Sequence, residues 1–168
     1  REEGMHQFGA KERELLRYAA YLHDIGDFIS FSNHHQHSYY IVRNAELLGF
    51  DQREIEIMAS LAKFHRKKSL GKRSSELEGL EASAQKVVVT LSPFLRIAEA
   101  LDRSHCGLID HARFINANEE EAVLEISARG DCQLELWGTE SQGKGFRKAF
   151  GRDLRIRFKI STALDEAR

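Results

Sequence analysis

Proline is almost missing: Pro93 stands alone in 168 residues, against an average near one in twenty. So few helix breakers point to helices. Cysteine is nearly as scarce. Cys106 and Cys132 make neither a metal-binding spacing nor a disulfide framework, so a reducing, cytoplasmic setting is expected. No run approaches the roughly 18 consecutive apolar residues of a membrane helix. The opening Arg1-Glu2-Glu3-Gly4 shows no apolar signal-peptide stretch. A surplus of one charge is also lacking, with 25 basic against 26 acidic side chains. That balance argues against a generic DNA or membrane binder while leaving room for local basic patches. What remains, 42% apolar and 30% charged residues, is an ordinary soluble globular chain, long enough for one domain or one domain with a small appendage.

Eight histidines are the feature in excess. His34, His35 and His37 sit together, preceded by His23 and followed by His65. Apolar spacing predicts a first helix over residues 11–24, with Leu15, Leu16, Ala19, Ala20, Leu22 and His23 on its face and Gly26 as C-terminal cap. Residues 30–35 read as a loop, and a second helix follows over 36–48, ended by Gly49. Asp51 caps a third, whose stripe is Ile55, Met58, Ala59, Ala62 and His65. The segment 66–75 is basic and broken by glycine, hence a loop. Ser92-Pro93 reads as a helix start, which divides the next stretch into helices over 83–91 and 93–103. The pattern then shortens. Strands are expected over 112–116, 122–128, 133–137 and 154–158, with a short helix within 140–150. The expected fold is mainly α, with a helical domain over 1–108 and a small β-containing C-terminal α+β subdomain over 109–168.

His23 and His65 each share a helix face with small and apolar neighbours, and Asp102 does the same with Leu95, Ala98 and Glu99. Buried titratable groups need partners, because an unpaired charge away from water costs several kcal/mol. A shared polar cluster would satisfy His23, Asp24, His65 and Asp102 together. Imidazole and carboxylate donors suit Mn²⁺, Fe²⁺ or Zn²⁺ about equally. The same residues can equally be structural histidines and a helix-end aspartate, and His34, His35 and His37 an exposed loop.

The segments Leu22-His23-Asp24-Ile25-Gly26, Ser32-Asn33-His34-His35-Gln36-His37, Lys63-Phe64-His65-Arg66-Lys67 and Ala98-Glu99-Ala100-Leu101-Asp102-Arg103 carry a family resemblance. The first is similar to the motif naming the HD-domain phosphohydrolases. All four together resemble the C-terminal half of the exopolyphosphatase and guanosine pentaphosphate phosphohydrolase (Ppx/GppA) family, over most of residues 9–160. That resemblance implies an HD-domain-like helical bundle and a divalent metal (Mg, Mn, Fe or Zn) at His23, Asp24 and Asp102, with His35, His37 or His65 completing the set. It implies a homodimer, and a parent acting on polyphosphate or guanosine pentaphosphate through an N-terminal actin-like ATPase-fold module. The family pattern has a further histidine on an upstream helix. Here that helix is missing and His6 falls in a loop, so the expectation is a C-terminal piece of a longer protein with no catalytic residue of its own for polyphosphate hydrolysis.

A second signal is charge. No acid lies between Glu56 and Glu76, while Lys63, Arg66, Lys67, Lys68, Lys72 and Arg73 accumulate. Such a run is either a solvated face or a polyanion track, since repeated phosphates reward spaced cations. The lack of interleaved aromatics disfavours nucleic acid. The leading expectation is therefore an accessory domain that binds polyphosphate and supports dimerisation. The alternatives are a metal-dependent HD-type phosphohydrolase site and a purely structural dimerisation domain.

Overall fold

A computed structural model describes residues 5–66 and 75–161. The basic positions Lys67, Lys68, Lys72 and Arg73 lie outside the described residues. The chain forms two compact units, Gln7–Arg96 and Ile97–Arg168, the latter with the first six residues. The fold is mainly α with a small C-terminal α+β part.

The first unit is built around one helix. Helices α1 (Ala10–Leu22), α2 (His34–Asn44) and α3 (Gln52–Phe64) are followed by the start of α4 (Ala82–Leu101). Along α3 every residue from Ile57 to Ala62 is buried, as expected of a helix surrounded on all sides rather than laid on a surface. Leu15 and Ala19 of α1, Val42 of α2, and Val88, Leu91 and Leu95 of α4 complete this core. The start of α3 is locked by reciprocal bonds. Asp51 Oδ1 accepts from Glu54 N at 2.8 Å, and Glu54 Oε2 accepts from Asp51 N at 3.0 Å. Lys11 of α1 then reaches Glu54 Oε1 at 2.5 Å.

Two local expectations give way to packing. Ser92-Pro93 does not divide α4, which runs unbroken with Pro93 inside it. Proline in a helix interior forfeits a hydrogen bond and costs about 3 kcal/mol, but Val88, Leu91 and Leu95 on both sides of it are core residues. Burying each is worth roughly 1.5–3 kcal/mol, so continuity wins. Nor is Gly26 a left-handed cap. The helical path of α1 continues through His23 into a 3₁₀ turn, Ile25–Phe28. Gly26 is needed for closeness: a Cβ there would stand 2.2 Å from the His34 carbonyl oxygen and 2.5 Å from Ser38 N. Its own N–H donates to Ser38 Oγ at 2.9 Å. The second helix is also displaced from its expected span of 36–48. It starts at His34, directly after Asn33 in the left-handed region (φ 59°), and ends at Asn44.

In the second unit, β1 (Ile109–Ala117), β2 (Glu121–Ala128) and β3 (Asp153–Ile160) form a sheet of order β1-β2-β3. The β1–β2 pair is antiparallel and β2–β3 parallel, the latter requiring the crossover that α5 (Gln133–Glu140) and α6 (Gly143–Phe150) provide. Ala122, Leu124, Ile126 and Ala128 are buried along β2. Phe146 of α6 is fully buried and stacks on Phe114 of β1 at 5.8 Å.

The strand expected over 133–137 is instead helix α5. The buried residues here are Cys132, Glu135, Gly138 and Thr139, while Leu134 and Trp137 are exposed. Their spacing is helical, but its key member is a carboxylate. Glu135 Oε1 accepts from Ser104 N at 3.0 Å. An inward stripe made of polar residues leaves no apolar period to read.

Candidate functional site: a histidine–aspartate cluster beside an open pocket

His23 and His65 occupy equivalent positions, each the C-terminal cap of its helix, α1 and α3. Each turns Nδ1 back onto the carbonyl three residues earlier: Ala20 at 2.7 Å and Ala62 at 2.6 Å. Those carbonyls belong to the last turn, where helix oxygens lack amide partners. A carbonyl only accepts, so both Nδ1 atoms carry the proton and both Nε2 atoms present a lone pair in the neutral ring. His34 is arranged alike. Its Nδ1 faces two acceptors, the Phe31 carbonyl at 3.1 Å and Asp27 Oδ1 at 3.0 Å.

The three Nε2 atoms converge on Asp24. His23 Nε2 is 3.1 Å from Asp24 Oδ2, while His34 Nε2 and His65 Nε2 are 3.3 and 3.5 Å from Oδ1. The His34 and His65 rings stack with centroids 5.2 Å apart, and the His23 ring meets His65 edge-on at 4.9 Å. Asp24 Oδ1 is buried yet makes no hydrogen bond of good geometry. Where the rings are protonated, the carboxyl of Asp24 is held below the usual carboxylate range, first by the hydrogen bond that His23 Nε2–H then donates, then by the charges of His23, His65 and His34, with burial opposing.

This donor set fits a cation. With every Nδ1 committed, neutral rings aim lone pairs at one another and at a carboxylate, which only a proton or a metal ion reconciles. The ends of α1 and α3 add the negative pole of two helix dipoles. Spacings of 3.1–3.5 Å are also those of ligands sharing one ion at about 2.1 Å. Two overlapping metal-competent groups exist among the described residues: His23, Asp24 and His65, and Asp24, Asp27 and His34.

The remaining sequence candidates belong to neither metal-competent group. His35 and His37 are half-buried on α2 and belong to neither group. The imidazole of His35 is shifted down, first by burial and then by His34, Arg66, Lys63 and His37. Asp102 does not face inward: α4 ends at Leu101, and the Asp102 side chain is 56% exposed in the second unit. Its Oδ1 accepts from Gly107 N at 3.2 Å, closing a turn, a local use that competes with an inward pose. His34 and Asp27 are the residues that sequence reasoning missed. The available signal was Asn33, a residue tolerant of the left-handed conformation, which marks the helix entry and places His34 in its first turn.

Next to the cluster opens a pocket of about 680 Å³ whose wall includes Phe31, Asn33, His34, Gln36, Lys63 and Arg66. The Lys63 ammonium also lies 4.9 Å from the Tyr39 ring, and the Arg66 guanidinium 5.8 Å from that of Phe31.

Comparison with known proteins gives a consistent answer. The family described as Ppx/GppA phosphatase, domain III, matches residues 2–137. A protein of Aeromonas salmonicida (strain A449) named guanosine-5′-triphosphate,3′-diphosphate pyrophosphatase is 31% identical over 119 residues, 70% of this chain and 23% of its own length. The protein of that name from Pseudoalteromonas translucida (strain TAC 125) is 44% identical over 52 residues, 31% of this chain and 10% of its own. The chain thus spans less than a quarter of the length of either.

Proposed function

This chain belongs to the Ppx/GppA phosphatase family, and from that premise we propose that it serves as the accessory C-terminal region of an exopolyphosphatase- or guanosine pentaphosphatase-like phosphohydrolase, binding phosphate chains and pairing with a second copy. The observation that carries the reading is the position of Lys63 and Arg66, two cations on the wall of one pocket. Spaced cations bind a polyanion by releasing its counterions, which makes affinity fall with salt. Tyr21, Phe28 and Ile29 in the same unit are large apolar side chains left exposed, surface that a protein contact would cover. The test measures binding of long-chain polyphosphate to wild type and to the Lys63→Gln, Arg66→Gln double variant at two salt concentrations. Wild-type binding that weakens with salt and a clear loss in the variant are expected. Equal binding by both proteins rejects the assignment.

A second reading, a metal-dependent HD-type phosphohydrolase site, is favoured by the converging Nε2 atoms. His23, Asp24, His34 and His65 would hold a divalent ion, and the ion would supply Lewis-acid polarisation of a phosphoryl oxygen. The chain's own part is to fix the donors: the Ala20 and Ala62 carbonyls orient two rings, and Asp27 with the Phe31 carbonyl orients the third.

A further inference from the structure

The sheet of the second unit ends in an open strand, β3. Asp153 N donates to Glu120 O at 2.8 Å, and just past the strand Ser161 N donates to Ala128 O at 2.8 Å. The backbone groups of successive strand residues point to opposite edges. The odd-numbered residues of β3 therefore face β2, and Leu154, Ile156, Phe158 and Ile160 turn their N–H and C=O groups outward. Among the described residues no strand pairs with that edge. Such an unpaired row is a template for another strand.

The side chains beside it alternate in chemistry. Register puts Ile156 on one face with Leu124 and Phe114, the face that Phe146 covers. Phe158 and Ile160 continue that face toward solvent, 38% and 69% exposed. Arg155, Arg157 and Lys159 lie on the other face, with Arg113 of β1. The carboxylates there are already engaged. Asp153 meets Arg147 at 3.1 Å, Glu121 meets Arg155 at 3.1 Å, and Glu125 meets Arg113 at 2.9 Å and Lys159 at 2.6 Å. Arg157 is exposed, stands directly across from Glu125, and forms no ion pair among the described residues. The open edge thus lacks a strand, and its charged face lacks a carboxylate.

We propose that β3 is a docking edge for an extended segment of a partner protein, one whose residues alternate between acidic and apolar, bound as a fourth strand. Main-chain hydrogen bonds to the outward groups of β3 supply affinity, and the alternation supplies selection. Carboxylates fall beside Arg155, Arg157 and Lys159, and apolar side chains beside Ile156, Phe158 and Ile160. A second copy of β3 fits poorly, because pairing the strand with itself sets cation against cation on one face. A nucleic acid or a phosphate chain would use the cations and leave both the backbone row and the apolar side idle.

The probe is a capped, fluorescently labelled peptide of alternating Glu and Val, matched to the eight residues of β3 and titrated with the intact chain by anisotropy. A peptide of the same composition with its Glu residues in one block should bind at least roughly tenfold more weakly. Two further versions carry N-methyl groups on alternate backbone nitrogens. One phase should abolish binding and the other preserve it, because only every second amide of an added strand meets β3. Arg157→Gln should weaken the alternating peptide roughly two- to fivefold. Its side chain is exposed, so circular dichroism should match wild type. No binding of the alternating peptide, equal binding of the block isomer, or equal effects of the two methylation phases overturns the fourth strand. Single-stranded RNA or long-chain polyphosphate bound more tightly than the peptide, and weakened by Arg157→Gln, makes this face a polyanion surface and overturns it as well.

Discussion

His34 Nε2 and His65 Nε2 lie 3.1 Å apart across 31 positions of sequence, and the Nδ1 atom of each faces oxygen acceptors. Two such rings meet comfortably only around a positive charge. Asp24 supplies the carboxylate that the charge requires, at 3.3 and 3.5 Å from the two nitrogens.

The first prediction follows from that geometry. Purified chain dialysed against Zn²⁺ or Mn²⁺ should retain the ion, as measured by elemental analysis. Asp24→Asn should abolish retention. Asp27→Asn should lower affinity more gently, by roughly tenfold, if the ion sits in the His23, Asp24 and His65 group, where Asp27 acts by orienting His34. Wild type and Asp24→Asn retaining the same amount would leave a proton, rather than a metal, as the reconciling charge.

Gly26→Ala should be among the most damaging small substitutions in the first unit. The added methyl would meet backbone atoms at 2.2 and 2.5 Å, and backbone cannot swing aside as a flexible side chain can. We expect a loss of about 3 kcal/mol or more in urea unfolding. Ser38→Ala, which removes the acceptor for Gly26 N–H, should cost about 1–3 kcal/mol by leaving a buried donor unmatched. A Gly26→Ala protein as stable as wild type would contradict the packing of the 3₁₀ turn against α2.

Pro93→Ala should stabilise the protein. The helix is continuous through this position, so alanine restores a backbone donor without altering the path. Part of the roughly 3 kcal/mol proline penalty is recovered, and a rise of about 1 kcal/mol in unfolding free energy is expected. A loss of stability instead would mean that the proline-imposed geometry is itself needed by the flanking core residues.

The Lys11–Glu54 pair should give a pH signature. Its hydrogen bond to Lys11 and the Asp51 amide hold the Glu54 carboxyl below its ordinary value, while Glu54 raises the Lys11 ammonium. A depressed carboxyl contributes stability above its unfolded pKa, about 4.3, and loses it as pH falls through the folded value. A raised ammonium contributes below its unfolded value, about 10.4, and loses it as pH rises through the folded one. The stability difference between wild type and Glu54→Gln should therefore be greatest between those limits and shrink on acidification below about pH 4. A difference independent of pH in unfolding curves would remove the charge from this capping arrangement.

Much of the helical unit is legible in the sequence because its signals are local. The α3 stripe, the Asp51 cap and the inward side of α1 at Leu15 and Ala19 all follow from helical period and capping chemistry. The second unit is harder. Its three strands can be found from their β-branched and apolar runs, and β3 also alternates, yet α5 cannot, since its buried side is Glu135, Gly138 and Thr139, with Glu135 paired to the Ser104 amide 31 positions away. Asp102 misleads in the opposite sense. Its helical register aims inward, but the helix stops one residue earlier and the carboxylate serves a turn.

The sequence by itself determined that His23 and His65 lie on the inward faces of the first and third helices, because helical period puts them in line with small and apolar neighbours. It also determined the family, through motifs short enough to survive as strings. Only the tertiary structure decided which nitrogens meet. His34 and Asp27 join the cluster because Gly26 lets the 3₁₀ turn and α2 approach to backbone contact. That closeness is a property of packed surfaces, and no periodicity along a single chain encodes the distance between residues 31 positions apart.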